Sequence, residues 1–432
     1  MCRKADRASE WRPTTILLAL LFGSLCTIRG AHWYWRIPLF ESLQALPPDA
    51  ILKLIVEHQN DTRAEKIDLG VGVYRDENGV TPILSAVKKA EQYVLDHQET
   101  KAYTGSAGDP VFNQVAESLI FGSDSALTDR TTTLQSPGGS GSLRVAAGLI
   151  LRAKPDVTMW VSDPTWNNHV PLLGGAGLRL ESYPYYDADD KTLRIDAMLE
   201  TLNKIPRDDI VLLHGCCHNP TGMDPSREQW QQIADIVAER ELIPFIDFAY
   251  QGLANGIEED AYPVRVLAER ATEMLVSSSC SKNFGLYRDR VGTLSVVSRD
   301  AAASKIVYSQ ACQIVRTIYS VPPDHGAAVV NHILRDAELR AEWEVELGEM
   351  RDRLKLVRSQ LVEALQQRVP EHNFSHITEA NGMFSYLGIT PEQVVRLKSD
   401  FGIYMEGFGR INVAGITGQN VAYLAESIAE IL

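Results

Sequence analysis

From about residue 82 onward, segments with apolar residues at helical spacing alternate with short β-branched runs. That alternation predicts helices packed on both faces of a mainly parallel sheet, a three-layer α/β fold. The runs Thr158 to Ser162, Ile210 to His214, Ile243 to Asp247, Met274 to Ser278 and Thr293 to Val297 read as buried strands. Each of the middle three ends in polar residues. In open α/β sheets the ligand crevice lies beyond the carboxyl ends of the strands, so those ends mark where a site is expected.

Between Asp336 and Gln367 the apolar positions Leu339, Trp343, Leu347, Met350, Leu354, Val357 and Leu361 trace one face of a long charged helix. Beyond it, strand-like Phe384 to Leu387, helix-like Pro391 to Phe401, a strand around Arg410 to Val413 and a terminal helix from Gly418 compose a second, smaller α+β domain. There is no internal repeat and no low-complexity linker.

The first 35 residues break this pattern. Arg3, Lys4, Arg7 and Arg12 precede an apolar run from Ile16 to Ile28 that is short for a membrane span. It resembles a signal peptide, yet Asp6 and Glu10 interrupt the positive region and the cleavage context is poor. The stretch reads as a spurious extension upstream of a true start near Ile37 or Leu39, as a targeting segment, or as a native extension.

Composition adds exclusions. With 432 residues, 45% of them hydrophobic and 23% charged, the chain can bury two or three cores. A net charge of -14 with no basic run argues against a nucleic-acid surface and for a small metabolite. Of six cysteines only Cys216 and Cys217 are close, and an adjacent pair suits neither a disulfide framework nor a zinc site. Reduced thiols in a cytosolic chain and no metal are expected.

Candidate chemistry begins at Ser277-Ser278-Ser279-Cys280-Ser281-Lys282-Asn283-Phe284-Gly285, where a hydrophobic strand runs into small hydroxyls and one lysine. A loop lysine is usually just solvated. Here Arg290 follows eight residues on, and Asp247 sits among apolar neighbours in Pro244-Phe245-Ile246-Asp247-Phe248-Ala249-Tyr250, where a carboxylate calls for a cationic partner. Gly138-Gly139-Ser140-Gly141 opens a helix, so unpaired N–H groups and the positive end of the dipole face one point. Arg290 can add a bidentate charge for the same anion. The turn Asn219-Pro220-Thr221-Gly222 can aim the Asn219 amide into the crevice, and Trp166 can lie on an aromatic ring. A Schiff-base lysine, an acid for a pyridine nitrogen, a stacking surface, donors for a phenolic oxygen and a phosphate cradle are the requirements of pyridoxal 5'-phosphate (PLP).

From about Pro38 to Leu432 the chain resembles the aspartate and aromatic amino-acid aminotransferases, fold type I PLP enzymes of class I. The motifs are Asp68-Leu69-Gly70-Val71-Gly72-Val73-Tyr74, His214 through Gly222, Asp247 through Gly252, Ser281 through Tyr287, and Gly409-Arg410-Ile411-Asn412-Val413-Ala414-Gly415. The resemblance implies that Lys282 bonds the cofactor, Asp247 pairs with its pyridine nitrogen, Tyr250 and Asn219 serve its phenolic oxygen and Trp166 stacks on it. Gly138, Gly139, Ser140, Ser279 and Arg290 would bind phosphate, with Tyr103 reaching it from the neighbouring subunit of a homodimer. Arg410 would take the substrate α-carboxylate, Arg316 the side-chain carboxylate across the dimer, and Gly72 would approach the substrate.

The implied organisation is an atypical extension over 1–36, an N-terminal arm and part of the small domain over 37–81, a PLP-binding large domain over 82–349 and the rest of the small domain over 350–432. The implied activity is ping-pong transfer of an amino group between an acidic or aromatic L-amino acid and 2-oxoglutarate or oxaloacetate, in the cytoplasm and without a membrane anchor in the mature domain. Aspartate is the expected donor and an aromatic amino-acid specificity the alternative. Ala102, Ser140, Val321 and Phe408 stand where the aspartate enzymes usually carry asparagine, threonine, asparagine and a small residue. Ala102 and Val321 make the surroundings less polar, which suits phenylalanine or tyrosine as additional donors. Another PLP reaction such as β-decarboxylation leaves both substrate arginines without a purpose. A transcription regulator would need a basic helix-turn-helix module that the chain lacks, and no G-x-G-x-x-G follows the first strand.

Overall fold

The computed structural model describes residues 39–46 and 50–432. The cationic and apolar stretch before residue 37 lies outside the described residues, as do Cys2 and Cys26. Residues 39–46 belong to one unit, in which Leu39, Phe40, Leu43 and Leu46 are exposed, and residues from 50 onward form a second.

The second unit is built on a seven-stranded sheet. Its strands are β1 (Thr131–Pro137), β2 (Thr158–Asp163), β3 (Arg179–Pro184), β4 (Ile210–His214), β5 (Ile243–Phe248), β6 (Met274–Ser279) and β7 (Val291–Val297). They lie in the order β1-β7-β6-β5-β4-β2-β3. Only β7 runs antiparallel to its neighbours. The five strands expected from hydrophobic runs are all present. β1 and β3 are additional: β1 is largely buried yet polar, and β3 is an edge strand with mostly unburied side chains.

Pairing across the centre brings polar ends together, with His214 opposite Asp247 and Asp247 opposite Ser277. The β1–β2 crossover is helix α1 (Gly138–Ala153), whose first turn stands over β6 and β7: Ser277 Oγ donates to Gly139 O at 3.3 Å. Pro137 precedes α1 with no capping side chain, so the leading N–H groups have no side-chain acceptor at the cap. Helix α2 (Ala301–Ile318) starts on an Asp300 cap and carries Arg316 in its last turn.

Helix α3 (Ala337–Arg368) is the long helix read from the sequence, 32 residues capped by Asp336. At about 1.5 Å per residue it is long enough to brace two separate parts of the site. Near its start, fully buried Trp343 donates its indole N–H to Asn283 O at 2.7 Å and stacks on Phe284 at 4.3 Å between centroids, clamping the segment after Lys282. Further along, Arg358 is 1% exposed and donates to Ile377 O at 2.7 Å, Gly382 O at 3.0 Å and Phe384 O at 2.6 Å. Burial lowers its pKa to about 10 against the pull of Cys217 and Asp224. Those bonds seat the turn leading into β8 (Phe384–Tyr386), which pairs antiparallel with β9 (Arg410–Asn412). Nearby, Ile67–Asp68 pairs parallel with Ile403–Tyr404.

Candidate active site

Strand ends and loops meet in a cavity of about 230 Å³ beyond the carboxyl edge of β4, β5 and β6. Gly72, Gly139, Ser140, Trp166, Asn219, Asp247, Tyr250, Ser279, Lys282, Arg290 and Arg410 all line it. Gly138 lies just behind, with φ +71°, and a Cβ built there would fall 2.6 Å from Arg290 Nη2. Arg316 and Tyr103 do not line it. Both are exposed, Tyr103 to 93%.

Lys282 extends over the Tyr250 ring, its Nζ 5.1 Å from the centroid. Burial lowers its pKa to about 8; the charge of Asp247 opposes this and that of Arg290 adds to it. Burial works against the charged form of Asp247, but the hydrogen bond and charge from His169, helped by His214 and Lys282, hold its carboxyl below the usual range. His169 is the partner that sequence alone does not single out. Its Nε2 lies 2.9 Å from Asp247 Oδ2, while Nδ1 lies 2.8 Å from Thr165 Oγ1, which lies 3.2 Å from His214 Nε2. The Thr-x3-His relation is local, since Thr165 lies four residues before His169 in the segment that leads into the helix His169–Gly174, but Asp247 is 78 residues away.

On the other side, Asn219 joins two functional groups. Its Nδ2 donates to Tyr250 Oη at 3.5 Å and its Oδ1 accepts from Arg410 Nη1 at 3.3 Å. Arg410 is 3% exposed, donates Nη2 to Gly70 O at 3.0 Å and stacks its guanidinium 4.5 Å from the Phe384 ring centroid. Phe384 in turn limits position 72, where a Cβ would meet its Cζ at 3.2 Å. Two further lining groups, Tyr287 and Ser281, carried no expectation of their own. Tyr287 Oη accepts the Tyr74 N–H at 2.8 Å, and Ser281 Oγ accepts from Ser279 Oγ at 3.0 Å and from Arg290 Nη1 at 3.4 Å.

The residues fit PLP on a test internal to the structure. A phosphate needs concentrated donors and room for close approach. The uncapped α1 terminus, the Ser279 and Ser281 hydroxyls and Arg290 converge on one end of the cavity. A side chain at Gly138 would fill the space against Arg290. At the other end Arg410 Nε–H has no hydrogen-bonded acceptor among the described residues, although it is buried. Glu406 Oε2 lies 3.1 Å from that nitrogen but outside hydrogen-bond geometry, so the guanidinium keeps a donor for a carboxylate at that end.

A profile of the aminotransferase class I and II family matches residues 64–428. The chain belongs to that family. The aminotransferase is 48% identical over 396 residues to the aspartate aminotransferase of Haemophilus influenzae, covering 91% of this chain and all of that protein. It is 46% identical over 394 residues to an aromatic-amino-acid aminotransferase of Pseudomonas aeruginosa, covering 91% and 98% of the two chains. Among solved structures, an aromatic-amino-acid aminotransferase from Burkholderia pseudomallei, covalently bound to pyridoxal phosphate, superposes with a TM-score of 0.89 at 42% identity, covering 91% of this chain and 99% of that one. These findings match the resemblance read from the motifs and the expected α/β fold. The described residues of the aminotransferase contain no helix long and apolar enough to cross a membrane.

Proposed function

We propose that this PLP-dependent aminotransferase takes aspartate as its preferred amino donor, accepts aromatic amino acids as well, and works as a cytoplasmic homodimer whose two sites are shared. The observation that carries the reading is the convergence of Lys282, Asp247, Arg290 and Arg410 on one cavity. Arg316 and Tyr103 are exposed outside that cavity, which suits residues that serve a neighbouring subunit.

Arg290, Gly138, Gly139, Ser140 and Ser279 would hold the phosphate, with the partner subunit's Tyr103. Trp166 would cover the ring, and Tyr250 and Asn219 would serve the phenolic oxygen. Asp247, kept ionised, would hold the proton on the pyridine nitrogen. When bound, PLP supplies an electron sink that makes the substrate Cα–H acidic. Arg410 would fix the α-carboxylate and the partner subunit's Arg316 the side-chain carboxylate, leaving Gly72 room for the substrate. Lys282 would hold the cofactor covalently and would be freed once the substrate amine took its place. As a free amine Lys282 would then be the group placed to take the proton from the substrate Cα and to give it up again. Burial, which lowers the Lys282 pKa to about 8, favours the neutral amine that such a proton transfer needs. Water would be consumed as the 2-oxo acid leaves and returned when 2-oxoglutarate or oxaloacetate takes up the amino group, so turnover would be ping-pong.

The test is kcat/KM for aspartate, glutamate, phenylalanine and tyrosine with 2-oxoglutarate. Aspartate should lead, with measurable aromatic rates. Aromatic donors ahead of aspartate by about tenfold, a difference of about 1.4 kcal/mol, would reverse the specificity assignment.

A further inference from the structure

Arg410 already has a carboxylate beside it. Glu406, four residues earlier, places Oε2 3.1 Å from Arg410 Nε, and its Oε1 accepts the Asn167 Nδ2 hydrogen at 3.2 Å. Asn167 follows Trp166 on the loop after β2, so one carboxylate ties that loop to the arginine across the mouth of the cavity. The contact with Arg410 is unusual for an internal ion pair. Nε and Oε2 are within ion-pair distance, but Nε–H has no acceptor in hydrogen-bond geometry among the described residues. The guanidinium is held in place instead by two neutral oxygens, Asn219 Oδ1 and Gly70 O. Glu406 therefore supplies charge where orientation is already provided.

We infer that Glu406 is a positioning and selectivity residue, a resident anion that competes with incoming carboxylates for Arg410 and discriminates against dianions more than monoanions. The inference rests on Arg410 being the carboxylate receptor. A substrate oxygen bonded to Nε–H would lie about 2.9 Å from Nε. With Glu406 Oε2 3.1 Å from that same atom, the two oxygens could be no more than about 6 Å apart. Two anions that close, at a half-buried mouth, repel with little screening. The bond from Asn167 keeps Glu406 from simply turning to solvent. A second carboxylate on the ligand adds a further unfavourable interaction with the same charge, whereas an aromatic side chain adds none.

Glu406→Gln keeps the shape and an oxygen for Asn167 while removing the charge. In the holoenzyme, dissociation constants for maleate and 3-phenylpropionate are read at low ionic strength from the change in cofactor absorbance. Both should fall, by about tenfold for the dianion and about threefold for the monoanion, which are ordinary sizes for relief of a partly screened charge. KM for aspartate should fall with them, with kcat within about twofold, a split that a purely structural role would not produce. Asn167→Ala, which frees Glu406 to swing outward, should give part of the same gain and keeps the idea testable if Glu406→Gln folds poorly. Unchanged or raised constants in both variants overturn the inference, and equal gains for the two ligands overturn its selectivity. Should Arg410→Lys leave 3-phenylpropionate binding unchanged, the fault would lie in the assignment of Arg410 itself.

Discussion

His169 Nε2 meets Asp247 Oδ2 at 2.9 Å, and the hydrogen bonds behind that contact allow only one direction of donation if the histidines are neutral. The Asn219 N–H donates to His214 Nδ1 at 3.4 Å. His214 Nε2 must then carry the hydrogen and give it to Thr165 Oγ1, which gives its own to His169 Nδ1. His169 Nε2–H is left for Asp247, which accepts as a carboxylate. Burial lowers the pKa of His214 to about 3 against the opposing charge of Asp247, so a neutral ring is its state at physiological pH.

Thr165→Val keeps the volume of this link and removes the hydroxyl between the two rings. His169 then loses the partner that fixes its tautomer, and Asp247 loses part of its support as an anion. A neutral hydrogen bond contributes about 1 kcal/mol, so kcat/KM should fall about fivefold, and the pH titration of cofactor absorbance should shift with it. Wild-type values for both measurements would exclude a role for the chain in tuning Asp247.

Asp247→Asn preserves shape but cannot carry the charge that keeps a pyridine nitrogen protonated. Each pKa unit lost there is about 1.4 kcal/mol. With two or more units at stake, kcat should drop by about 100-fold or more in steady-state assays. Near-normal turnover would remove Asp247 from the mechanism.

The buried His214 also gives a signed pH effect on stability. Its pKa is near 6.5 when unfolded and about 3 in the fold, so the unfolded chain binds the extra proton between those values. Stability is therefore full above about pH 6.5 and is lost as pH falls. Between pH 7 and pH 5 this single group should cost about 2 kcal/mol. Urea unfolding of His214→Asn at both pH values, at fixed protein concentration, should show a smaller acid loss than wild type by about that amount. An identical loss would place the proton uptake elsewhere, for instance at His376, whose pKa burial lowers to about 4.

Most of the sheet and the cavity-lining set were legible because hydrophobic runs ending in polar residues mark strands that open onto a site. β1 was not, since Thr132 and Thr133 hide as polar letters while their hydroxyls are satisfied sideways: Thr132 Oγ1 lies 2.8 Å from Ser304 Oγ, and Thr133 Oγ1 2.9 Å from Ser295 Oγ. A buried strand whose hydrogen bonds are supplied by its neighbours carries no period-2 apolar signal of its own. The contact of His169 with Asp247 and that of Glu406 with Asn167 escaped for another reason. Each joins residues far apart in the chain, and neither partner advertises the other.

Sharing of sites between subunits is testable without a structure of the dimer. Lys282→Ala and Arg316→Ala chains are mixed and allowed to exchange, with exchange confirmed by mass spectrometry. If the partner subunit's Arg316 completes each site, a mixed dimer has one doubly defective site and one intact site. With half the dimers mixed, about a quarter of wild-type aspartate activity should return. Activity that stays at the sum of the separate variants would mean that Arg316 serves its own chain.

Lys282 and Arg290 both lie in the loop between β6 and β7, and that loop is pinned from outside by Trp343 on Asn283 O. On the proposed roles, the covalent grip of Lys282 and the ionic grip of Arg290 on the cofactor would both sit on one short piece of chain. If that piece opens while the sheet beneath stays folded, both of those grips would loosen together and leave the phosphate to the N-terminus of α1, so cofactor loss should track local opening of the loop rather than global unfolding. Amide exchange at residues 280–290 should run with it, and Trp343, hydrogen-bonded beside Lys282 at Asn283 O, is placed to slow it.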